Sequence, residues 1–572
     1  LGIANLLCPN KTGGVFLKTK PFKAMLNWLK NFPRRLYDAF LRFPASFVCT
    51  IALFIILDLH EHAELFDENV FFRLVFVLIL GIVMFAAAQL VTESFGAKKR
   101  HFRIIAGAVV YLMLQGYYFI AVGDNDRGTV QFLMLLAAAC LFAVTSLNLK
   151  NGAGFEKNAS LILVRIAASV FFSSVFFVGL VATLGGIDLL LAEVESEWYI
   201  EAVQVCYIIF LPAMFFIGVP QKDNNSEYPK PLKALFSYVI LPIIIVFTAV
   251  LYIYYIKLII TRSLPISETG GVSLAFLAVC IPSLILITPL ENKLSVTLRK
   301  IIPFVLVPVV IVLFVAAGRQ ILLFGITVTR YLVIAGGIAA LVCIFLIRIK
   351  SGKHQRIACL VIAAVCIASA IGPQSAYNLA SESQAKRLEG YLTKNNMLKD
   401  NNIIPNPDIP DEDKKEIVGL IQYIQYNDLD KPAYFPENIA DLNDVLGFDP
   451  QTSIYKHYRS EINYIGVSGY DYVLEENTGG GFVIGENVKI ERLSKDGITI
   501  KQDEKNICDI QMKDIAAQIY EKIDKDKELQ DASALEYSYE NDYIKLKYLF
   551  KSIAFNNNEY NYGSYTVLLK IK

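Results

Sequence analysis

The sequence predicts a polytopic α-helical membrane bundle of about eleven spans, followed by an extracytoplasmic α+β domain with an antiparallel sheet. Three observations predict it. Apolar residues make up 55% of the 572 positions, above the usual level of soluble domains. Apolar runs of roughly 20 residues, the length that crosses about 30 Å of hydrocarbon, recur through the first two thirds of the chain, the first and last of them shorter. The charge is also segregated: the whole chain carries +1, yet residues 1–372 carry a net +12 and residues 373–572 a net −11. This composition excludes a disordered chain, an ordinary soluble enzyme and a nucleic-acid binder.

The runs lie at 44–59, 71–91, 104–122, 130–147, 159–191, 200–219, 232–256, 272–290, 301–317, 331–347 and 357–371. The fifth exceeds a simple crossing, so it should tilt or project from the bilayer. Cytoplasmic loops accumulate Lys and Arg. Here 24 of them fall in the N-terminal tail and in the loops after even-numbered spans, against five (Arg127, Lys257, Arg262, Arg319, Arg330) in the other loops. That pattern puts the N-terminus in the cytoplasm and, with an odd span count, the C-terminal domain outside.

Four segments follow: a basic tail over 1–43, the membrane domain over 44–372, an exported helical stalk and linker over 373–448, and the exported α+β domain over 449–572. The tail lacks the apolar core and small-residue site of a cleavable leader. Its residues 20–42 read as an amphipathic helix, broken near Pro33, lying on the inner membrane surface with Lys20, Lys23 and Lys30 toward anionic headgroups. Routine topology anchoring accounts for it as well as lipid sensing does. Of nine cysteines only Cys508 lies in the exported region, so that region must be held by its own core rather than an internal disulfide.

Pro373 opens a helix running to about 398, with an apolar stripe of Ala376, Leu379, Leu388 and Leu392. A linker rich in Pro and Asn (401–410) precedes a second helix over 411–426. Beyond 449 the period changes to two. Residues 464–473 and 482–493 read as strands about the Gly479-Gly480-Gly481 turn, and Ile515 to Ile523 as a helix. Ile544, Leu546, Tyr548 and Phe550 then alternate, as do Tyr565, Val567, Leu569 and Ile571 after an Asn turn. Residues 373–572 hold 18 of the 30 tyrosines, which suits contact surfaces and half-buried sheets alike.

Ionisable groups inside the bilayer point to function, and few occur at mid-span. Arg165 is placed to snorkel. The candidates for catalysis are Asp58 and Glu61 at the outer end of the first span and Asp188 at the outer end of the fifth. His60 and His62 flank Glu61 and form a weak metal pattern that a solvated acidic loop explains equally. No resident cofactor or metal is expected. Gly479-Gly480-Gly481 lacks the Lys of a phosphate loop, and His457 with Cys508 lacks any supporting third group. Residues 318–331 are too apolar for a free loop and too short to cross. They should re-enter the membrane or lie on it, bent at Gly325, with Arg319 and Arg330 placed to clamp a phosphate or carboxylate. Snorkelling of both arginines is the competing explanation.

Three motifs give the chain a resemblance. They are Arg42-Phe43-Pro44 at the first span, Gly325-Ile326-Thr327-x-x-Arg330-Tyr331, and Gly372-Pro373-Gln374-Ser375-Ala376 continuing to Ser381-x-Ser383-Gln384-x-x-Arg387-Leu388. On these the chain resembles the bacterial multi-span membrane proteins of domain of unknown function 4153. The resemblance implies a membrane protein with no assigned substrate, cofactor or catalytic residue. The candidate anion- or headgroup-binding set is therefore Arg319, Thr327, Arg330, Tyr331, Ser383, Gln384 and Arg387. The expected role is an envelope protein that contacts membrane lipids and whose exported domain binds an envelope polymer, lipid or partner protein. A lipid-linked glycosyl or phosphoglycerol transferase and a transporter or flippase are the alternatives.

Overall fold

A computed structural model of the protein describes residues 20–63, 66–96, 100–121, 125–150, 154–190, 194–221, 228–261, 268–290, 293–348, 352–436 and 442–448. It further describes 456–459, 467, 469–475, 482–484, 488–494, 497–502, 505–524, 530–556 and 559–572. They fall into two compact units. The first reaches to Gln384 and includes Tyr426–Asp430; the second comprises Ala385–Gln425 and Lys431–Lys572.

The described residues of the first unit form helices and the turns between them. Helix α1 (Lys20–Arg42) runs unbroken through Pro33, contrary to the expected break; a single missing donor need not end a helix of good formers. Helix α2 (Pro44–Ala63) takes its proline in the first turn, where no intrahelical N–H is required. There follow α3 (Glu68–Ser94), α4 (Arg100–Ile120), α5 (Asp126–Ser146), the 36-residue α6 (Phe155–Leu190) and α7 (Ser196–Gly218). Next come α8 (Leu232–Thr261), α9 (Glu268–Leu286), α10 (Lys293–Phe324), α11 (Val328–Arg348) and α12 (Gly352–Ala370).

Ten of these helices, α2 to α11, are long and apolar enough to cross a membrane, and His354–Ala370 within α12 is apolar but shorter. Each of the eleven expected spans is thus an apolar helix. Helices α7 and α8 each contain a π-turn, at Val205–Phe210 and Phe236–Ile240, and each π-turn is followed by a proline (Pro212, Pro242). A wider turn relieves the clash between the proline ring and the preceding carbonyl.

Two faces of each helix do different work. Inward residues form the main core across α6 and α8 to α12, where Leu241, Leu277, Leu306 and Leu313 are fully buried. A second cluster joins α1, α2, α3 and α7 around Phe43, Phe47 and Phe216. Outward residues are also large and apolar: Leu322 is 88% exposed and Leu189 82%. Such a surface suits lipid and not water.

The second unit begins within α13 (Ala376–Lys394). A two-residue ladder, β1 (Leu398–Lys399) with β2 (Asn402–Ile403), leads to α14 (Asp411–Tyr426). Its inner face buries Ile417, Leu420, Ile421 and Ile424. After α15 (Leu442–Leu446) the chain forms two antiparallel sheets. One has the order β3 (Lys456–Arg459), β10 (Ile544–Asn556), β11 (Glu559–Ile571), β4 (Tyr472–Glu475), with β9 (Glu536–Glu540) also on β10. The other runs β5 (Phe482–Ile484), β6 (Val488–Ser494), β7 (Gly497–Gln502), β8 (Lys505–Gln511).

The β10–β11 hairpin pairs Ile544 with Ile571 through to Asn556 with Glu559. Its alternating Ile544, Leu546, Tyr548 and Phe550 are fully buried, together with Val567 and Leu569. Helix α16 (Met512–Lys522) adds Ile515, Ala516 and Ile519 to that core. The single strand expected over 482–493 is two strands, β5 and β6. The turn at Gly479-Gly480-Gly481 and residues 464–466 lie outside the described residues.

Candidate functional site

The last four carbonyls of a helix have no intrahelical donor. In this bundle arginines from other segments supply donors to four such ends. Arg42 donates from Nη1 to the carbonyl of Val219 (2.8 Å) and from Nη2 to that of Pro220 (2.9 Å) beyond α7, while Nε and Nη2 form a two-pronged bond to Glu93 at 2.9 and 2.7 Å. Arg356 donates to Asn148 and Leu149 beyond α5, both at 2.6 Å, and Arg299 to the carbonyl of Thr288 beyond α9. Arg330 donates to Phe324 (3.2 Å) and Gly325 (3.0 Å) at the end of α10. A planar, always-charged guanidinium opposite the negative end of a helix dipole gives strong, charge-assisted bonds.

The Arg330 end is the centre of the family-like motifs. Residues 318–331 form no element of their own. Helix α10 continues through Gln320 to Phe324, Gly325–Thr327 make a three-residue turn, and α11 follows. Gly325 supplies the bend with φ of +71°. Thr327 caps α11, its hydroxyl 3.3 Å from the Arg330 N–H.

Helix α13 grips this turn. Ser383 Oγ accepts from the Ile326 N–H at 2.9 Å, and Gln384 Nε2 donates to the carbonyls of Phe324 (3.2 Å) and Ile326 (2.7 Å). Tyr331 donates its hydroxyl to the Gln374 carbonyl at 2.7 Å. Ser381 accepts from the Asp430 N–H, and Asp430 is paired with Arg127 at 2.8 Å. These bonds form a collar around the first turns of α13.

The remaining anion-binding candidates lie apart from the collar. Arg319 is exposed on α10. Arg387, further along α13, pairs with Glu416 at 2.9 Å in the second unit.

A second cluster forms where α2 ends and α7 begins. His62 Nδ1 lies 3.0 Å from the Asp58 carbonyl. A carbonyl only accepts, so Nδ1 carries the proton and Nε2 is turned toward Glu197 (3.7 Å) and Glu201 (3.8 Å). Asp58, His62 and Glu201 hold their ligating atoms within 4.8 Å of one another. A proton on Nε2 makes this an ion-pair network; a divalent cation would make it a mixed nitrogen and oxygen site.

Glu61 accepts from Gln204 at 3.0 Å, and His60 stacks on Phe71 with ring centroids 3.7 Å apart. Asp188 accepts from the Val194 N–H at 2.9 Å. Sequence reasoning missed Glu197, Glu201 and Gln204; the first falls before the expected span 200–219 and the other two inside it. Their i, i+4, i+7 spacing on one helical face is the signal that finds them. The side chain of His457 lies outside the described residues. Cys508 is buried, which pushes its thiol up to about 12 and leaves it a poor nucleophile.

Fold and site together define a polytopic helical membrane protein with a C-terminal antiparallel-sheet region. The profile of a family described as domain of unknown function (DUF4153) matches residues 44–403, and the chain belongs to that family. It is similar to the uncharacterized protein PM1469 of Pasteurella multocida (strain Pm70), with 22% identity over 390 residues. The match covers 65% of this chain and 63% of the length of that relative. No solved structure matches.

Proposed function

We propose that this is a bacterial cell-envelope protein whose membrane bundle mounts the C-terminal region on the extracytoplasmic side, where that region binds an envelope polymer, lipid or partner protein. The collar around α13 carries this reading. Ser383 and Gln384 bond α13 to the 325–327 turn, which Arg330 braces and Thr327 caps, and Tyr331 bonds Gln374 just before α13. Side chains so engaged are spent on orientation, as a mounting requires. The +12 and −11 halves and the 24-to-five division of loop charges support the N-terminus in the cytoplasm and the sheet region outside. The acidic sheet region then carries its tyrosines into the envelope space.

The test is cross-linking in intact cells of the full chain beside a chain ended at Asp430. The proposal expects an envelope-linked species with the full chain and its loss from the shortened one, with both in the membrane fraction. Retention of the species by the shortened chain contradicts it. One observation favours a transferase instead: Asp58, His62, Glu197 and Glu201 converge at one helix end, as a site with an acid and a base would need. That reading requires Asp58→Asn to abolish a lipid-linked transfer while the protein stays folded; unchanged transfer removes it.

A further inference from the structure

The end of the bundle that carries the basic loops contains a cavity of about 350 Å³. Its polar wall is Thr288, Arg299, Lys300 and Gln355; its apolar wall is Val296, Phe304 and Ile347. None of these is acidic, and no Asp or Glu occurs anywhere from 292 to 381, so the two cations bring no neighbouring counterion from their own segment. Phe304 is 60% exposed on the lipid-facing surface of α10. The cavity therefore combines two cations with apolar side chains that reach the bundle's outer surface.

Two buried polar atoms in this wall have no partner among the described residues, Arg299 Nε and Gln355 Oε1. The amide orientation of Gln355 follows from its neighbour. Thr288 gives its only hydroxyl proton to the Leu284 carbonyl at 3.0 Å, so its oxygen must accept from Gln355 Nε2 at 2.8 Å. That leaves Oε1, on a residue only 1% exposed, as an acceptor waiting for a donor. A buried acceptor left unpaired is costly. A ligand that satisfies this wall brings an anion for Arg299 and Lys300 and, beside it, a hydroxyl for Gln355. An ammonium would satisfy Gln355 as well but would stand against two cations.

We propose that this cavity binds a phosphodiester headgroup bearing a free hydroxyl, of which phosphatidylglycerol is the simplest membrane example. The phosphate oxygens accept from Arg299 Nε and the Lys300 ammonium, a headgroup hydroxyl donates to Gln355 Oε1, and an acyl chain lies along Phe304. Basic pockets between membrane helices suit such headgroups. The site is independent of the role of the C-terminal region.

Native mass spectrometry of the full chain in detergent tests it, with phosphatidylglycerol, phosphatidylmethanol and inorganic phosphate as probes. Phosphatidylmethanol carries the same charge and no hydroxyl. Lys300→Gln changes an exposed side chain and is expected to weaken phosphatidylglycerol binding at least about fivefold. Gln355→Met is expected to erase a preference of about fivefold for phosphatidylglycerol over phosphatidylmethanol. Unchanged binding by Lys300→Gln overturns the site, and equal retention of the two lipids by the unaltered protein overturns the hydroxyl assignment. Displacement of the lipid by an equal concentration of inorganic phosphate would mark a free-anion site and likewise overturn the proposal.

Discussion

Leu322 and Leu546 are the same side chain in two solvents. Leu322 on α10 is 88% exposed and Leu546 on β10 is fully buried. Across the bundle, large apolar residues turn outward as well as inward, whereas in the sheet region most turn inward, Val473 being an exception, and residues such as Glu540 and Lys551 meet water. The two regions therefore draw stability from different sources. Hydrophobic burial drives the sheet core. Between membrane helices it gives little, because lipid tails are as apolar as leucine, and packing with satisfied polar groups must do the holding. The arginines on the ends of α5, α7, α9 and α10, and the collar on α13, are where the bundle does so.

The sharpest test of this contrast is Leu546→Ala, expected to cost about 2–5 kcal/mol through a cavity in the sheet core. Pulse proteolysis of the full chain should show the C-terminal region opening first. Next is Arg42→Ala, which takes the Arg donor from two carbonyls and leaves Glu93 with Gln89 as its remaining donor; a loss of about 2–3 kcal/mol is expected. It should appear as a lower melting temperature in detergent with the sheet region unaffected.

Asp413→Asn ranks third, at about 1 kcal/mol, because Asp413 accepts from Lys394 and Asn395, both at 2.9 Å. Its pH behaviour has a fixed sign. The hydrogen bond from Lys394 holds the Asp413 carboxyl below its usual range, and in return Asp413 holds the Lys394 ammonium above its own. The carboxylate contribution is complete above an ordinary Asp pKa of about 3.9 and vanishes as pH falls through the lower folded value. The ammonium contribution is complete below about 10.4 and vanishes as pH rises through the raised value. Asp413→Asn should flatten the acid limb of a stability–pH curve. The smallest effect belongs to Leu322→Ala, within about 0.5 kcal/mol in a bilayer; a cost like that of Leu546→Ala would erase the contrast.

Span positions were legible because twenty-residue apolar runs have few alternatives. The hairpin of β10 and β11 was legible because Ile544, Leu546, Tyr548 and Phe550 alternate without interruption. Both signals are periodic and local. What the sequence hid is carried by single residues reaching across the fold. Arg330 reads as a free cation beside an apolar segment until Phe324, Gly325 and Gln320 are seen around it. Pairing of Arg42 with Glu93 spans 51 positions, and that of Arg127 with Asp430 spans 303. No spacing rule reaches so far. At His62 the sequence showed half of a cluster, the half on α2; Glu197 fell before the 200–219 run because the start of α7 carries no strong cap, Glu195 at its N-cap making no side-chain bond, and Glu201 fell at the edge of that run with nothing local to mark its partner.

The claim on which the functional reading rests is the side of the membrane each end occupies. Single cysteines placed at Lys99 and at Asn557, in a chain with the other exposed thiols replaced, report it through a maleimide that cannot enter intact cells. Native Cys508, buried and with its thiol pushed up to about 12, should stay silent. The account predicts labelling at 557 and protection at 99 until the cells are broken. Labelling at 99 with protection at 557 would contradict it and place the sheet region in the cytoplasm.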